Sequence, residues 1–288
     1  MIPELFKIGP FTVYSYGLML GIAFITASYI LSLEYKRKKL TDNFASEVTL
    51  IAIIFGIIGS KIFHLFENWD EFLADPVGMA FNPGGLTFYG GLITATLAIY
   101  IYSKRKSVPF SYIADGSAPS LAIAYGIGRI GCHLSGDGDY GIPTNLPWGT
   151  NYENGIVKPS SLFRGTEIAD SFPNGIVPDN TPLHPTPVYE FLGALVIFYI
   201  LWRFRNRNWA DGRLFSLYLI LSSFARFFVE FIRVNPRYLL GLSEAQIISI
   251  ILVLLGTVYT IYCFKNPERP KFVPAFTKVP ESEKKKKK

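Results

Sequence analysis

The residues of this chain best able to do chemistry are arginines set in apolar sequence. In "FARFFVEFIRVNPR" Arg226, Glu230 and Arg233 stand at i, i+4 and i+7, a spacing that predicts one shared helix face. In "GRIGCHLSGDGDYG" Arg129 lies among glycines at the end of an apolar run, and Asp137 and Gly141 follow it. Lys61 closes a second such run after "IIGS". A basic side chain at mid-bilayer costs ~2.5 to 3.5 kcal/mol on insertion scales, so these residues are expected to pair, line a cavity or serve function. The planar fork of a guanidinium matches the oxygens of a phosphate. At that depth the commonest phosphate is a phospholipid head group, so binding of a lipid phosphate is the chemistry predicted. The structural alternative is ion pairing that holds helices together, with Arg233 snorkelling to the outer interface.

Aromatic and polar residues stand ready beside those cations. "LHPTPVYEFL" brings His184, Tyr189 and Glu190 to the start of one apolar run, "NPGGLTFYGGLI" sets Tyr89 between glycine pairs, and "SYGLML" adds Tyr16. Aromatics at a membrane boundary are ordinarily belt residues. Beside arginines and glycines they predict a wet, cationic pocket.

The elements that must position these groups are membrane helices. Half of the 288 residues are hydrophobic and only 17% are charged. Apolar stretches of the length that crosses ~30 Å of hydrocarbon fall at about 13 to 34, 47 to 66, 86 to 103, 114 to 134, 187 to 204, 213 to 234 and 243 to 264. The expected fold class is therefore an all-α integral membrane protein of seven transmembrane helices. Residues 1–264 form one membrane domain with an external loop at about 135–186, and 265–288 form a basic cytoplasmic tail. "EYKRKKL", "SKRKS", "RFRNRN" and the tail hold most of the 28 basic residues on one side, whereas "FENWDEFLADP" holds none. Basic loops stay in the cytoplasm. This predicts an external, periplasmic amino terminus and a cytoplasmic carboxyl terminus. The net charge of +6 is thus a topology signal, and no nucleic-acid partner is expected.

Two other motifs lead elsewhere. Gly126, Gly128 and Gly131 spell GxGxxG, but a dinucleotide site needs a strand before it and a soluble helix after it. Small residues inside a span instead allow close packing, a reading that extends to Gly56 and Gly59. Cys132 and His133 are adjacent, so on a helix they diverge by about 100° and make no catalytic pair. With Cys263 as the second of two cysteines, neither a disulfide framework nor a metal-ligand spacing emerges. No metal and no cofactor are expected.

Taken in order, "IGPFTVYSYGLML", "NPGGLTFYGGLI", "ADGSAPS", "GRIG", "HPTPVYE" and "RFFVEFIR" resemble the bacterial prolipoprotein diacylglyceryl transferase family, across most of the chain. The resemblance implies a multi-pass inner-membrane enzyme whose partners are phosphatidylglycerol, preprolipoprotein signal peptides and membrane lipids. It would transfer the diacylglyceryl group of phosphatidylglycerol to a lipobox cysteine thiol and release glycerol phosphate. It also implies that Arg129 and Arg226 handle phosphate, that Tyr16 is an essential early tyrosine, and that Glu230 and Arg233 are the family's sixth-span acid and base. Arg129, Arg226, Tyr89 and Glu230 are the expected catalytic residues. Tyr16, Asp137, Gly141, His184, Tyr189, Glu190 and Arg233 are expected to bind substrate. The chain departs from the family where Tyr89 replaces a frequent histidine, Cys132 an asparagine and "SGDGDYG" an "NGE" turn. Those departures leave the thiol-activating base open, and with it two alternatives: a relative that binds lipid or lipoprotein without transfer, and an anion transporter.

Overall fold

The computed structural model describes residues 1–9, 11–41, 43–82, 85–266 and 272. Helix dominates it. A short hairpin, β1 (Glu4–Ile8) and β2 (Phe11–Tyr14), leads into α1 (Ser15–Arg37) and α2 (Phe44–Glu67). Two short helices, α3 (Trp69–Ala74) and α4 (Pro76–Phe81), precede α5 (Phe88–Arg105) and α6 (Phe110–Ser135). An irregular segment then carries β3 (Thr150–Asn151), α7 (Pro159–Leu162), α8 (Glu167–Asp170) and β4 (Pro182–Leu183). The chain ends in α9 (Thr186–Phe204), α10 (Arg213–Val229) and α11 (Glu244–Lys265).

Each apolar stretch drawn from the sequence is a helix. Five of these helices, α1, α2, α9, α10 with its following turn, and α11, are long and apolar enough to cross a membrane. The other two, α5 and α6, are not in that group; α6 is diluted by Asp115, Pro119 and its glycines. Side chains that face outward on the five are largely apolar, as at Ile25, Ile57, Tyr199 and Val258, the surface expected of helices solvated by lipid. The basic tail beyond residue 266, Phe272 excepted, lies outside the described residues.

Two compact units share the described residues, one of 1–30 and 117–266, the other of 31–116. In the second unit α2 and α5 pack closely at glycines. A Cβ at Gly59 would lie 1.5 Å from Thr94 Oγ1, and one at Gly90 would lie 2.6 Å from the Gly59 carbonyl. The small-residue reading of Gly59 holds for that reason: only glycine lets two backbones approach this closely. At the basic end of this unit Tyr35 packs edge-on to Phe44 at 5.4 Å and donates to the Ile113 carbonyl, closing a core of Leu31, Val48 and Tyr112.

In the first unit Ala118 and Ala122 of α6 face Ile197, Leu201 and Leu214. The segment expected as an external loop is a folded lobe. Tyr140, Tyr152, Phe163, Val177 and Leu183 form its core, with Met1 against them. Gly136, at φ +61°, turns the chain out of α6, and its neighbour Gly155 packs so closely that a Cβ on Gly136 would lie 2.6 Å from Gly155 Cα. The lobe thereby fixes the chain between α6 and α9. α11 begins at a capping box, in which Ser243 accepts from the Gln246 amide and the Gln246 side chain accepts from that of Ser243.

Candidate active site

Glu190, in the second turn of α9, is the hub of the site. Its side chain is 2% exposed, and a carboxylate so buried must be paired. Tyr125 of α6 donates to Oε1 at 2.6 Å, and Arg226 of α10 donates to the same oxygen at 2.8 Å. Arg129 Nε and Arg233 Nη1 each lie 3.4 Å from Oε2. Three arginines from three segments therefore meet on one carboxylate.

Two further acids complete the network. Glu230 is fully buried, with Arg226 Nη2 at 3.0 Å and Arg233 Nε at 3.8 Å. Asp139, in the lobe, forms ion pairs with both Arg129 and Arg233. Its carbonyl accepts from Arg233 Nη1 at 3.1 Å and from the Thr186 hydroxyl. Three cations thus face three carboxylates, so the arginines expected to make a cationic pocket are all paired with acids. Breaking one member of such a buried network leaves an uncompensated charge at a cost of about 3 to 5 kcal/mol.

The expected single helix face for Arg226, Glu230 and Arg233 is corrected here. α10 ends at Val229, Glu230–Ile232 form a 3₁₀ turn, and Arg233 has extended backbone. Asn235 then donates to Glu230 Oε1, and Arg237 donates to the Glu230 carbonyl at 3.0 Å and to Gln246 at 2.7 Å. Arg233 does not snorkel either. Its side chain is 8% exposed, against 20% for Arg129 and 25% for Arg226.

Gly141 explains how a loop and a helix end meet here. Its amide donates to the His184 carbonyl, it pairs in a β-bridge with Arg233, and Ile142 donates to the Ile232 carbonyl. A Cβ on Gly141 would lie 2.5 Å from that Ile232 oxygen. Three backbone segments, carrying Asp139, Arg233 and His184, therefore converge where only glycine fits.

The other expected residues sort into three groups. Tyr16 packs on Gly131, where a Cβ would come 3.3 Å from its ring, and lies within electrostatic reach of Arg129, Asp137 and Asp139. His184 and Tyr189 meet each other at 3.1 Å, and Trp148 donates to the Tyr189 hydroxyl at 2.7 Å; this aromatic cluster makes its polar contacts within itself. Tyr89 and Lys61 belong to the other compact unit. Tyr89 stands in the first turn of α5, edge-on to Phe88, and Lys61 donates to the Asn82 carbonyl at 2.8 Å.

The two aspartates of this turn, Asp137 and Asp139, sit in different electrostatic surroundings. Burial and the Asp139 charge push the Asp137 carboxyl up from its ordinary value. Burial would raise Asp139 as well, but Arg233 and Arg129 overcome it and hold that carboxyl at about 2. Sequence reasoning missed Asp139 and Tyr125. The signals were present: a second aspartate nearer Gly141, and a tyrosine one helical turn before Arg129, whose guanidinium lies 4.9 Å from its ring centroid.

Cys132 Sγ and one oxygen each of Asp137 and Asp139 converge within 4.8 Å. As a metal cradle this set is poor, because both Asp139 oxygens already meet arginines and a cation there would face two others. His133, bonded to the Tyr152 hydroxyl at 2.9 Å, faces the lobe and not Cys132.

Helices long and apolar enough for a bilayer, with guanidinium groups and carboxylates gathered inside one unit, define a multi-pass membrane protein with a buried ionic site. Residues 3–262 match the family model for prolipoprotein diacylglyceryl transferase. The chain is 30% identical over 302 residues to a phosphatidylglycerol–prolipoprotein diacylglyceryl transferase of Leptospira interrogans, covering 88% of this chain and 89% of that one. Enzymes of the same name from Clostridium tetani (31% over 269 residues, 92% and 100% covered) and Clostridioides difficile (32% over 253 residues, 87% and 91% covered) are similar to it as well. The chain belongs to the prolipoprotein diacylglyceryl transferase family.

Proposed function

We propose that this protein transfers the diacylglyceryl group of phosphatidylglycerol to the cysteine thiol of a preprolipoprotein lipobox, releasing glycerol phosphate. One observation carries the reading: Arg129, Arg226 and Arg233 converge on Glu190. A phosphodiester oxygen can take a carboxylate's place on those guanidinium forks. When the thiolate attacks the glyceryl carbon, negative charge grows on the leaving phosphate, and fixed cations in a water-poor site stabilise it without reorganising. Arg129 and Arg226 hold the phosphate in this reading. Glu190 and Glu230 hold the arginines at fixed spacing, and Arg233, which ties the lobe to them through Asp139 before the lipid enters, joins Arg129 and Arg226 on the phosphate. Tyr16, on Gly131, borders the same site, and His184 and Tyr189 contact the lipid or the peptide.

The seven apolar helices cross the inner membrane with the amino terminus outside. The lobe of 135–186 is then periplasmic and meets secreted lipoproteins, while the tail from 265 lies in the cytoplasm. Basic loops at 35–39, 104–106 and 203–213 support this orientation. Reporter fusions after Lys39, Lys106 and Arg207 should read cytoplasmic, and a fusion within 150–175 periplasmic. A cytoplasmic lobe would overturn the orientation.

The activity is tested with the full-length protein in vesicles of labelled phosphatidylglycerol and a lipobox peptide. Label on the peptide cysteine is expected. Lipid binding without transfer, or anion flux across the vesicle without either, would overturn the reading.

A further inference from the structure

A phosphodiester entering a network of three arginines and three carboxylates gains most by taking the place of one carboxylate. The three are not equally displaceable. Glu190 and Glu230 are 2% and 0% exposed and are held by the additional donors Tyr125 and Asn235. Asp139 is 28% exposed, sits on a loop, and owes its ion pairs to the two arginines nearest the lobe. Water can reach Asp139, so it is the carboxylate that can leave.

We propose that Asp139 is the general base of the reaction, released from Arg129 and Arg233 when the lipid phosphate takes its place. The proposal rests on the transferase reading above. It assigns the proton-accepting role to a residue that neither the arginines' own chemistry nor Tyr89 supplies. The groups facing Asp139 are Arg129 and Cys132 of α6, Asp137 of the lobe, Arg233 after α10, Tyr16 of α1 and Thr186 of α9. The two arginines hold it a poor base. Once they turn to phosphate, burial and the nearby Asp137 remain, and both favour proton uptake. Cys132 Sγ lies within 4.8 Å of oxygens of Asp137 and Asp139, so the surroundings of Asp139 already hold one thiol at short range. The histidines of this unit are engaged elsewhere, His133 with Tyr152 and His184 with Tyr189.

The step balances. Asp139 takes the S–H proton, and the sulfur lone pair forms a C–S bond to the glyceryl carbon. The C–O bond to phosphate breaks, and its electron pair leaves on the glycerol phosphate oxygen under the arginines. Asp139 then gives its proton to that phosphate and returns to the arginines as product departs.

The test compares Asp139→Asn with the unaltered protein, both full length in phosphatidylglycerol vesicles, on two lipobox peptides that differ only in carrying cysteine or selenocysteine under reducing conditions. A selenol is already ionised at neutral pH and needs no base. On the cysteine peptide Asp139→Asn should lose roughly 10²- to 10⁴-fold in kcat, with KM for the lipid unchanged or lowered because a competing carboxylate is gone. On the selenocysteine peptide most of that loss should disappear. The residual cysteine activity should climb with pH toward the thiol's own pKa of about 8.5. Equal loss on both peptides would make Asp139 a structural ion-pair partner and overturn the proposal, as would full activity on cysteine. If Asp139→Asn fails to fold, Asp139→Glu decides: a retained carboxylate should keep cysteine transfer without any selenium-specific gain, and a selenium-specific gain there would overturn the assignment. Absence of transfer by the unaltered protein on either peptide would sink the transferase reading itself, a result distinct from the failure of Asp139 alone.

Discussion

The α2–α5 pair and the arginine network solve opposite problems in apolar surroundings. In the first, Gly59, Gly90 and Gly91 bring backbones together, and a Cβ on Gly91 would lie 2.8 Å from the Gly56 carbonyl. Dispersion at short range is what such a contact supplies, because lipid removes any hydrophobic drive between helices. In the second, Arg129, Arg226 and Arg233 meet Asp139, Glu190 and Glu230. Replacing such groups by well-packed apolar residues is often neutral or stabilising. Small residues at one contact and costly charges at the other show where packing is the purpose and where chemistry is.

The largest effects should come from the arginines. Arg226→Gln is expected to lower kcat/KM about 10²- to 10³-fold, the loss typical of removing one donor to developing charge. Arg233→Gln should be as severe, since its 8% exposure leaves no water to replace it. Arg129→Lys should fail together with Arg129→Gln, because a point charge cannot make a two-pronged contact. Transfer assays normalised to membrane protein level check all four. If level and activity fall in parallel, the charges serve packing and the contrast with α2–α5 collapses.

Glycine substitutions sharpen the same contrast at smaller scale. Gly141→Ala and Gly59→Ala should each cost about 1 to 3 kcal/mol by overpacking, read as a lower unfolding temperature in detergent. Only Gly141→Ala should also lower activity per folded molecule through the charges, because it moves Asp139 away from Arg233. A loss of activity per folded molecule in Gly59→Ala equal to that in Gly141→Ala would erase the distinction.

Acid should reveal the pairing of Asp139. Its folded carboxyl, at about 2, lies below the ordinary 3.8, so its contribution to stability is complete above about pH 4 and is lost as pH falls towards 2. The stability difference between the unaltered protein and Asp139→Asn should therefore shrink over that window. A difference constant down to pH 2 would mean that the ion pairs contribute nothing.

The smallest effect is expected at Cys132. Cys132→Asn should leave transfer unchanged or raised, because an amide beside Arg129 can hydrogen-bond phosphate. Single-turnover trials should yield no diacylglyceryl adduct on the enzyme. A trapped adduct at Cys132 would make this thiol a covalent nucleophile and reverse its place in the scheme.

Much of the molecule was readable from hydropathy, because a bilayer leaves backbone few options but helix. The seven apolar runs coincide with α1, α2, α5, α6, α9, α10 and α11 to within a few residues. The lobe was not readable in that way. Its core of Tyr140, Tyr152, Phe163 and Leu183 is scattered among prolines and glycines over 135–186, with neither period 2 nor period 3.6 to mark it.

For the site, residue type and depth singled out Arg129, Arg226, Arg233, Glu190 and Glu230, since an unpaired charge in hydrocarbon is too costly to be incidental. The family resemblance pointed to Asp137, whereas the aspartate paired with two arginines is Asp139. That pairing depends on Gly141, whose missing Cβ lets the lobe strand lie against Ile232 and His184 and so turns Asp139 towards two arginines. The same holds for Glu190, which became a hub only when α6, α9 and α10 packed together. Local chemistry is written residue by residue, whereas partnership between residues 94 positions apart, as for Asp139 and Arg233, exists only after tertiary packing has brought them together.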